Sequence, residues 1–288
     1  MSTRDEMTDL FFYWINERHE IYVKRFVQRR RAPWTDDQIM QKYKFTNVYR
    51  RLDRVSLHLL KWLLPHAQQP RVLKLFNIIM YRAFNEPATA EVLGFVTSFA
   101  GYQKKAQQKL EAMIAAKRRV FTGAYIITAG GRTGPKYLYV LDNLLKIWYQ
   151  IGEVARDIEE DLSAEHATNI LSALPGLGGF TAYEVVTDLY ELGLYEFRDV
   201  DTWANPGPGA IRGLNRIHGR PLHVKGFKTA RIDEMQVLFQ LAKHRLGPHH
   251  KGYAFHLREI EHSLCEFDKY MRVLKGEGRP RSTFRPRQ

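Results

Sequence analysis

The stretch that most restricts what this chain can fold into is Leu174-Pro175-Gly176-Leu177-Gly178-Gly179-Phe180-Thr181-Ala182. Apolar residues at helical spacing lead into it through Leu171 and Leu174, and a second helical pattern leaves it near Thr181. A proline and closely spaced glycines between two such patterns specify a tight turn, so the segment reads as a helix-hairpin-helix. Glycine lets main-chain N–H groups approach an anion closely, and the start of the next helix adds partial positive charge. Gly176, Leu177, Gly178 and Gly179 are therefore expected to hold a nucleic-acid phosphate, a contact with the backbone rather than with base edges.

Charge points the same way. The chain has 44 Lys+Arg against 31 Asp+Glu, a net charge of +13, which favours a polyanion or an acidic membrane surface as partner. Cys265 is the single cysteine, so an internal disulfide and a cysteine-based zinc site are excluded. No apolar run approaches the roughly 18 residues of a membrane span, and the N-terminus lacks the build of a signal peptide. A soluble, cytoplasmic protein without a membrane partner is expected.

Read in order, the sequence is helical almost throughout. Helical patterns cover residues 3–29, 71–84, 89–99, 102–119, 136–161, 163–173, 181–192, 229–246 and 254–274, with a further helix after the Pro206-Gly207-Pro208-Gly209 turn. Thr35 with Gln38 predicts a capping box opening a short helix, and Val48, Leu52, Val55 and Leu59 keep helical spacing beyond it. Strand signals are scarce, a short extended piece over residues 120–128 being the exception. The glycine-rich loop at 129–136 reads as a plain surface turn or as a basic loop in which Arg132 and Lys136 contact phosphate. It is not a P-loop, because G-x-x-x-x-G-K-[ST] occurs nowhere in the chain. The expected architecture is an all-α helical domain over residues 1–274, with an N-terminal part to about 135, a hairpin-containing part over 136–274, and a basic disordered tail at 275–288.

The hairpin followed by Val200-Asp201-Thr202 resembles the helix-hairpin-helix DNA glycosylases, whose L-P-G-x-G-x-x-T-A turn precedes V-D-T and a catalytic aspartate. That resemblance implies a glycosylase-like helical fold with Asp201 in the catalytic position. Phe180 stands where the lyase members carry a Schiff-base lysine, and one cysteine cannot hold the iron–sulfur cluster many of them use. Strand-cleaving lyase chemistry is not expected.

Two other regions could carry chemistry. In the first, Glu17, Arg18, Tyr22 and Arg25 precede Pro33-Trp34-Thr35-Asp36-Asp37 and then Phe45-Thr46-Asn47-Val48-Tyr49-Arg50 with Asp53. Arg18 and Arg25, two helical turns apart with Tyr22 between, would line up donors for phosphate oxygens; the plain alternative is a solvated face with ion pairs. In the second, Glu259, His262, Glu266 and Lys269 recur at helical spacing away from the apolar stripe Leu257, Ile260, Leu264, Phe267 and Met271. Ordinary ion pairing explains them, although His262 and Glu266 one turn apart are also compatible with a divalent metal. His244, His249, His250 and His256 read as loop residues, and no metal-ligand set is assigned.

The order of these motifs, with G-P-G-A-I-R-G-L-N-R at 207–216 and C-E-F-D-K-Y at 265–270, resembles the alpha-glutamyl/putrescinyl thymine pyrophosphorylases. These bacteriophage amino acid:DNA transferases are built on the helical domain named for the hydroxymethyluracil DNA kinase systems, and the resemblance runs from about Leu10 to Arg281. It implies displacement of pyrophosphate from 5-pyrophosphorylmethyluracil in double-stranded DNA by the amine of an amino acid or polyamine, inside the host cell. No cofactor is implied with certainty, a divalent cation such as Mg being compatible. Under this resemblance Arg18, Arg25 and Arg50 clamp the leaving group, and Asp201 and Asp53 are base or amine-binding groups. Asn47 belongs to the same catalytic set. Tyr22, Tyr49 and Trp203 would stack on an everted base, while Arg212, Asn215, Glu266 and Lys269 complete the substrate contacts. Arg50 and Asp201 would then face one cleft. Two alternatives remain open at this point: a monofunctional base glycosylase in which Asp201 activates water, and a non-catalytic DNA-binding module.

Overall fold

The computed structural model describes residues 3–123, 133–280 and 282–284. Its helices are α1 (Thr3–Tyr22), α2 (Gln38–Lys42), α3 (Arg54–Leu63), α4 (Arg71–Phe84), α5 (Pro87–Leu93), α6 (Gln103–Ala115), α7 (Lys136–Glu160), α8 (Ala164–Ser172), α9 (Gly179–Glu191), α10 (Pro208–Ile217), α11 (Lys228–Arg245) and α12 (Leu257–Leu274). Among the described residues the only extended pairing is one antiparallel bridge between Tyr43 and Thr283. The all-α expectation therefore holds. Among the described residues no helix is long and apolar enough to cross a membrane.

The chain divides into two compact units, one made of Met1–Asp53 and Val200–Gln288 and the other of Arg54–Asp199. The breaks fall at 53/54 and 199/200 rather than near 135, because α7 packs on α4, α6 and α8 and so belongs with the helices that precede it.

In the unit formed by 54–199, α4 supplies a face of wholly buried side chains including Leu75, Phe76, Ile78 and Ile79, and it packs against α7 and α9. Arg82 lies in this core at 0% exposure. Its Nε and Nη2 donate to the two oxygens of Asp188 at 2.5 and 2.6 Å, Nη1 donates to Asn85 Oδ1 at 2.8 Å, and Nη2 also reaches Ser56 Oγ. A buried charge is tolerable when paired and bonded in this way. Helices α8 and α9 pack on each other across the glycine turn. Ser163 caps α8 by accepting from His166 N, and Gly178 stands at the start of α9. Leu177 anchors the turn in the core, whereas Gly176 has φ +77° and lies over Asn143, whose amide would collide with a Cβ. Any other residue there would meet both backbone strain and a clash.

In the other unit α12 is the central helix, packed on α10, α11 and α1. Its apolar stripe is the one read from the sequence: Leu257, Ile260, Leu264, Phe267 and Met271 are all buried. Helices α10 and α12 approach so closely that a Cβ on Gly209 would meet Cys265, and one on Gly213 would meet the Leu264 backbone. That is the physical reason for the glycine spacing in G-P-G-A-I-R-G. The contact is fixed by Asp268, wholly buried, whose oxygens accept from Arg212 Nε and Arg216 Nε at 2.8 Å each.

Several sequence expectations need correcting. The cap of α2 is Asp37, whose Oδ1 accepts from Ile39 N and Met40 N; Thr35 instead accepts from Asp37 N, so there is no Thr35–Gln38 box. Residues 44–49 are not helical, and only a single tight 3-10 turn forms at Arg50–Leu52 before α3. The tail is not unfolded where it is described: Lys44 N donates to Ser282 O, Phe284 N donates to Lys42 O, and the Phe284 ring stands against Trp34 and Arg25. Backbone pairing and an aromatic anchor outweigh the polar composition of that segment. Arg132 and most of the expected extended piece at 120–128 lie outside the described residues.

Candidate active site and nucleic-acid contact region

In the α12 unit, the non-helical strap 44–53 lies across α12 and joins it to α1. Thr46 N donates to Glu266 Oε2 at 3.0 Å, and Thr46 Oγ1 bonds His262 Nε2 at 2.6 Å. Lys269 pairs with Glu266 at 2.6 Å and sits over the Phe45 ring. The α12 face away from the apolar stripe is thus covered by the strap, and Glu259 and Glu266 are buried.

Arg18 reaches this strap from α1. Its Nη2 donates to Asn47 Oδ1 at 2.6 Å and to Phe45 O at 3.3 Å. Asn47 in turn donates through its backbone N to Asp53 Oδ1 at 3.0 Å and through Nδ2 to Leu52 O at 2.8 Å. Asp53 faces Arg50 Nη1 at 3.8 Å, too long for a hydrogen bond, and its Oδ2 has no hydrogen-bond partner among the described residues. Burial raises the Asp53 pKa above the usual carboxylate range against the pull of Arg50, the Asn47 N–H and Arg18. Burial likewise lowers the Arg18 guanidinium to about 10, against the opposite pull of Asp53 and Glu266. Arg18, Asn47, Arg50, Asp53 and Glu266 therefore form one connected, largely buried cluster, a type of environment that perturbs ionisation at functional sites.

The remaining predicted residues are placed elsewhere. Arg25 stacks over Phe26, Trp34 and Phe284 rather than joining Arg18. Tyr22 is stacked on His19 and lies beside Phe26. Tyr49, 1% exposed, donates to His250 Nδ1 at 2.8 Å and has Tyr253 stacked on its face. Trp203 is buried under Lys228. As placed, Tyr49 and Trp203 have no open ring face for a base, because both are packing residues of the core. Asn215 is wholly buried and donates to Val224 O, holding the 220–226 loop, and Arg212 is committed to Asp268. Asp201 does not reach Arg50: its carboxylate accepts from His256 Nδ1 at 2.6 Å beside the start of α12. His256 was unreadable as a partner, since fifty-odd residues separate it from Asp201 and only the fold brings them together. Among the described residues, no three His, Cys, Asp or Glu side chains converge as a metal site would require.

In the other unit, Gly176, Gly178, Gly179 and Phe180 are exposed at the turn, and Lys136 is exposed at the start of α7 over the Phe121 ring. A cleft of about 230 Å³ opens beside the turn, lined by Ile79, Val140, Asn143, Leu144, Phe180 and Thr181 among others.

Residues 5–279 match the family described as 5-hmdU DNA kinase, helical domain. The chain belongs to that family. It is also similar to a protein named 5-hmdU DNA kinase from Bacillus phage SP10, with 27% identity covering 93% of this chain and 45% of the relative. The chain thus spans a little under half the length of that relative. No solved structure matches. The family match covers the hairpin, the strap and α12 together, so both regions described above lie within the family's helical domain.

Proposed function

We propose that this helical domain is a DNA-modifying transferase of thymine hypermodification, displacing pyrophosphate from 5-pyrophosphorylmethyluracil in DNA with the amine of an amino acid or polyamine. The C–O bond breaks with its electron pair leaving on pyrophosphate, the C–N bond forms at the same methylene carbon, and one amine proton passes to a base. Such a step needs cationic donors for the leaving group, a base of raised pKa and exclusion of water. The observation that carries the reading is the Arg18–Asn47–Asp53–Arg50 cluster, which puts two guanidinium groups beside a buried carboxylate with a raised pKa and one oxygen outside the hydrogen-bond network. Asp53 is the base in this scheme and Arg18 and Arg50 are the leaving-group donors. The Asp201–His256 pair is a second candidate for positioning the amine. The glycine turn and Lys136 would hold the DNA backbone.

A second reading, favoured by the similarity to a 5-hmdU DNA kinase, makes this domain the DNA-holding part of a kinase. The sequence weighs against a phosphoryl-transfer step within these residues, because no G-x-x-x-x-G-K-[ST] loop is present to cradle nucleotide phosphates. The two readings separate in one experiment. The protein is incubated with DNA carrying pyrophosphorylated 5-hydroxymethyluracil plus a pool of amino acids and polyamines, and in parallel with 5-hydroxymethyluracil DNA plus ATP, and the nucleosides are analysed by mass spectrometry. An amine adduct in the first arm is the expected result; a phosphorylated nucleoside in the second arm alone overturns it.

A further inference from the structure

The cleft beside the glycine turn contains a feature that DNA-backbone binding does not use. Its floor is apolar, formed by Ile79, Val140, Leu144 and Ile147. Into that wall is set the side chain of Asn143, 6% exposed, and among the described residues no hydrogen bond reaches its amide. A primary amide carries two donors and an acceptor with two lone pairs, and here they face the cleft, free to pair with whatever fills it. The cleft volume of about 230 Å³ is below the ~300–1,000 Å³ of sites for drug-sized ligands and suits a single ring.

The lining also discriminates among ligand classes. An amine would require a carboxylate, and none lines the cleft. A phosphate buried there would require a cation, and the one that lines it, Arg82, is held on both oxygens of Asp188. What remains is a neutral, flat ring whose edge offers an N–H beside a C=O, the complement of a carboxamide. Phe180, 57% exposed at the mouth, supplies an aromatic face beside the entrance.

We propose that this cleft receives the pyrimidine ring of a nucleotide everted from the strand whose phosphate rests on the Pro175–Gly178 turn, with Asn143 reading the imide edge. The inference rests on the reading of this chain as a protein that acts on DNA. An amide paired with O2 and N3–H of a uracil ring leaves C5, on the far side of the ring, directed out of the cleft, so a substituted C5 is compatible with the site.

The test compares binding of two duplexes by fluorescence anisotropy, one carrying a single 5-hydroxymethyluracil and the other a tetrahydrofuran abasic site at that position. Wild type is expected to prefer the base-containing duplex by about tenfold, the effect of one good amide–base pair. Asn143→Leu should abolish that preference while binding the abasic duplex within about twofold of wild type. A second measurement needs no variant: 5-iodouracil at the same position, irradiated in the wild-type complex, should cross-link to the peptide bearing Tyr139 or the one bearing Phe180. Equal binding of both duplexes by wild type, an undiminished preference in Asn143→Leu, or cross-links confined to residues 1–53 and 200–288 would each overturn the ring site, with Asn143 then solvated by water only. Those outcomes leave the DNA-acting reading intact. Failure of wild type to bind either duplex would instead sink that reading, and the ring site with it.

Discussion

Each unit of this protein buries an arginine beside a carboxylate, and the two pairs differ in almost every respect that matters. Arg82 and Asp188 meet through two short, parallel hydrogen bonds, with Asn85 and Ser56 taking up further donors. Arg50 and Asp53 stand 3.8 Å apart, and one carboxylate oxygen lacks a hydrogen bond. The first pair is closed on itself and has nothing left to offer a ligand. In the second the Asp53 carboxylate is only partly hydrogen-bonded by the strap that carries it, and burial lifts its pKa. Fully bonded charges specify a fold, whereas under-bonded ones keep capacity for a substrate.

The largest expected effect tests the closed pair. Asp188→Ala leaves Arg82 buried and uncompensated, which typically costs about 3–5 kcal/mol, and thermal or urea unfolding should register a loss of that size. A loss under about 1 kcal/mol would show that the closed pair does not differ from the open one in the way described. Asp53→Asn is the matching change at the open pair. It removes a charge that burial disfavours, so stability at pH 7 should stay within about 1 kcal/mol of wild type, while under the proposed scheme amine transfer falls at least ~100-fold through loss of the base. Unchanged turnover would remove Asp53 from the chemistry.

Acid should separate the units. In the unit containing α12, burial lowers His19 to about 4 and His250 to about 3. Above the ordinary histidine value of about 6.5 these rings cost nothing. As pH falls below it, the unfolded chain takes up protons that the folded chain refuses, so stability drops until the folded values are reached. For the pair this amounts to roughly 3 kcal/mol by pH 5.5. Raising the Asp53 pKa acts in the opposite sense, since its protonation favours the folded state, but only toward lower pH. Hydrogen exchange at pH 5.5 should therefore show protection lost first around α1 and the His250 segment, with α4 and α7 retaining theirs; uniform loss would contradict the contrast. The smallest effect is at the tail. Phe284→Ala should cost about 1 kcal/mol or less by loosening Trp34 and Arg25, readable as increased proteolysis after Arg279 with the Arg82 unit unaffected.

Much of the fold was legible in the sequence because it depends on local periodicity. The stripe of α12, the length of α7, the stop at Gly193 and the glycine turn follow from residues within a few positions of one another, and the structure places each close to where the spacing put it. The strap at 44–53 was misread because its apolar residues keep helical spacing while their partners, Glu266 and His262 on α12, lie over two hundred residues away. Sequence separation of fifty-odd residues likewise hid the pairing of His256 with Asp201, and non-local packing made Tyr49 and Trp203 look like stacking platforms instead of core.

What the sequence determined by itself was the helical class, the glycine turn, the basic balance, and the presence of the arginines and carboxylates. Tertiary structure alone decided which of those charges are spent. Asp268 consumes Arg212 and Arg216, Asp188 consumes Arg82, and Asp53 keeps an oxygen free of hydrogen bonds. Asn143, unremarkable in the sequence, becomes an unanswered amide in a cleft wall. Residue type fixes how many hydrogen bonds and charges a side chain carries, but whether they are satisfied depends on which distant group is packed against it, and that is a property of the folded chain.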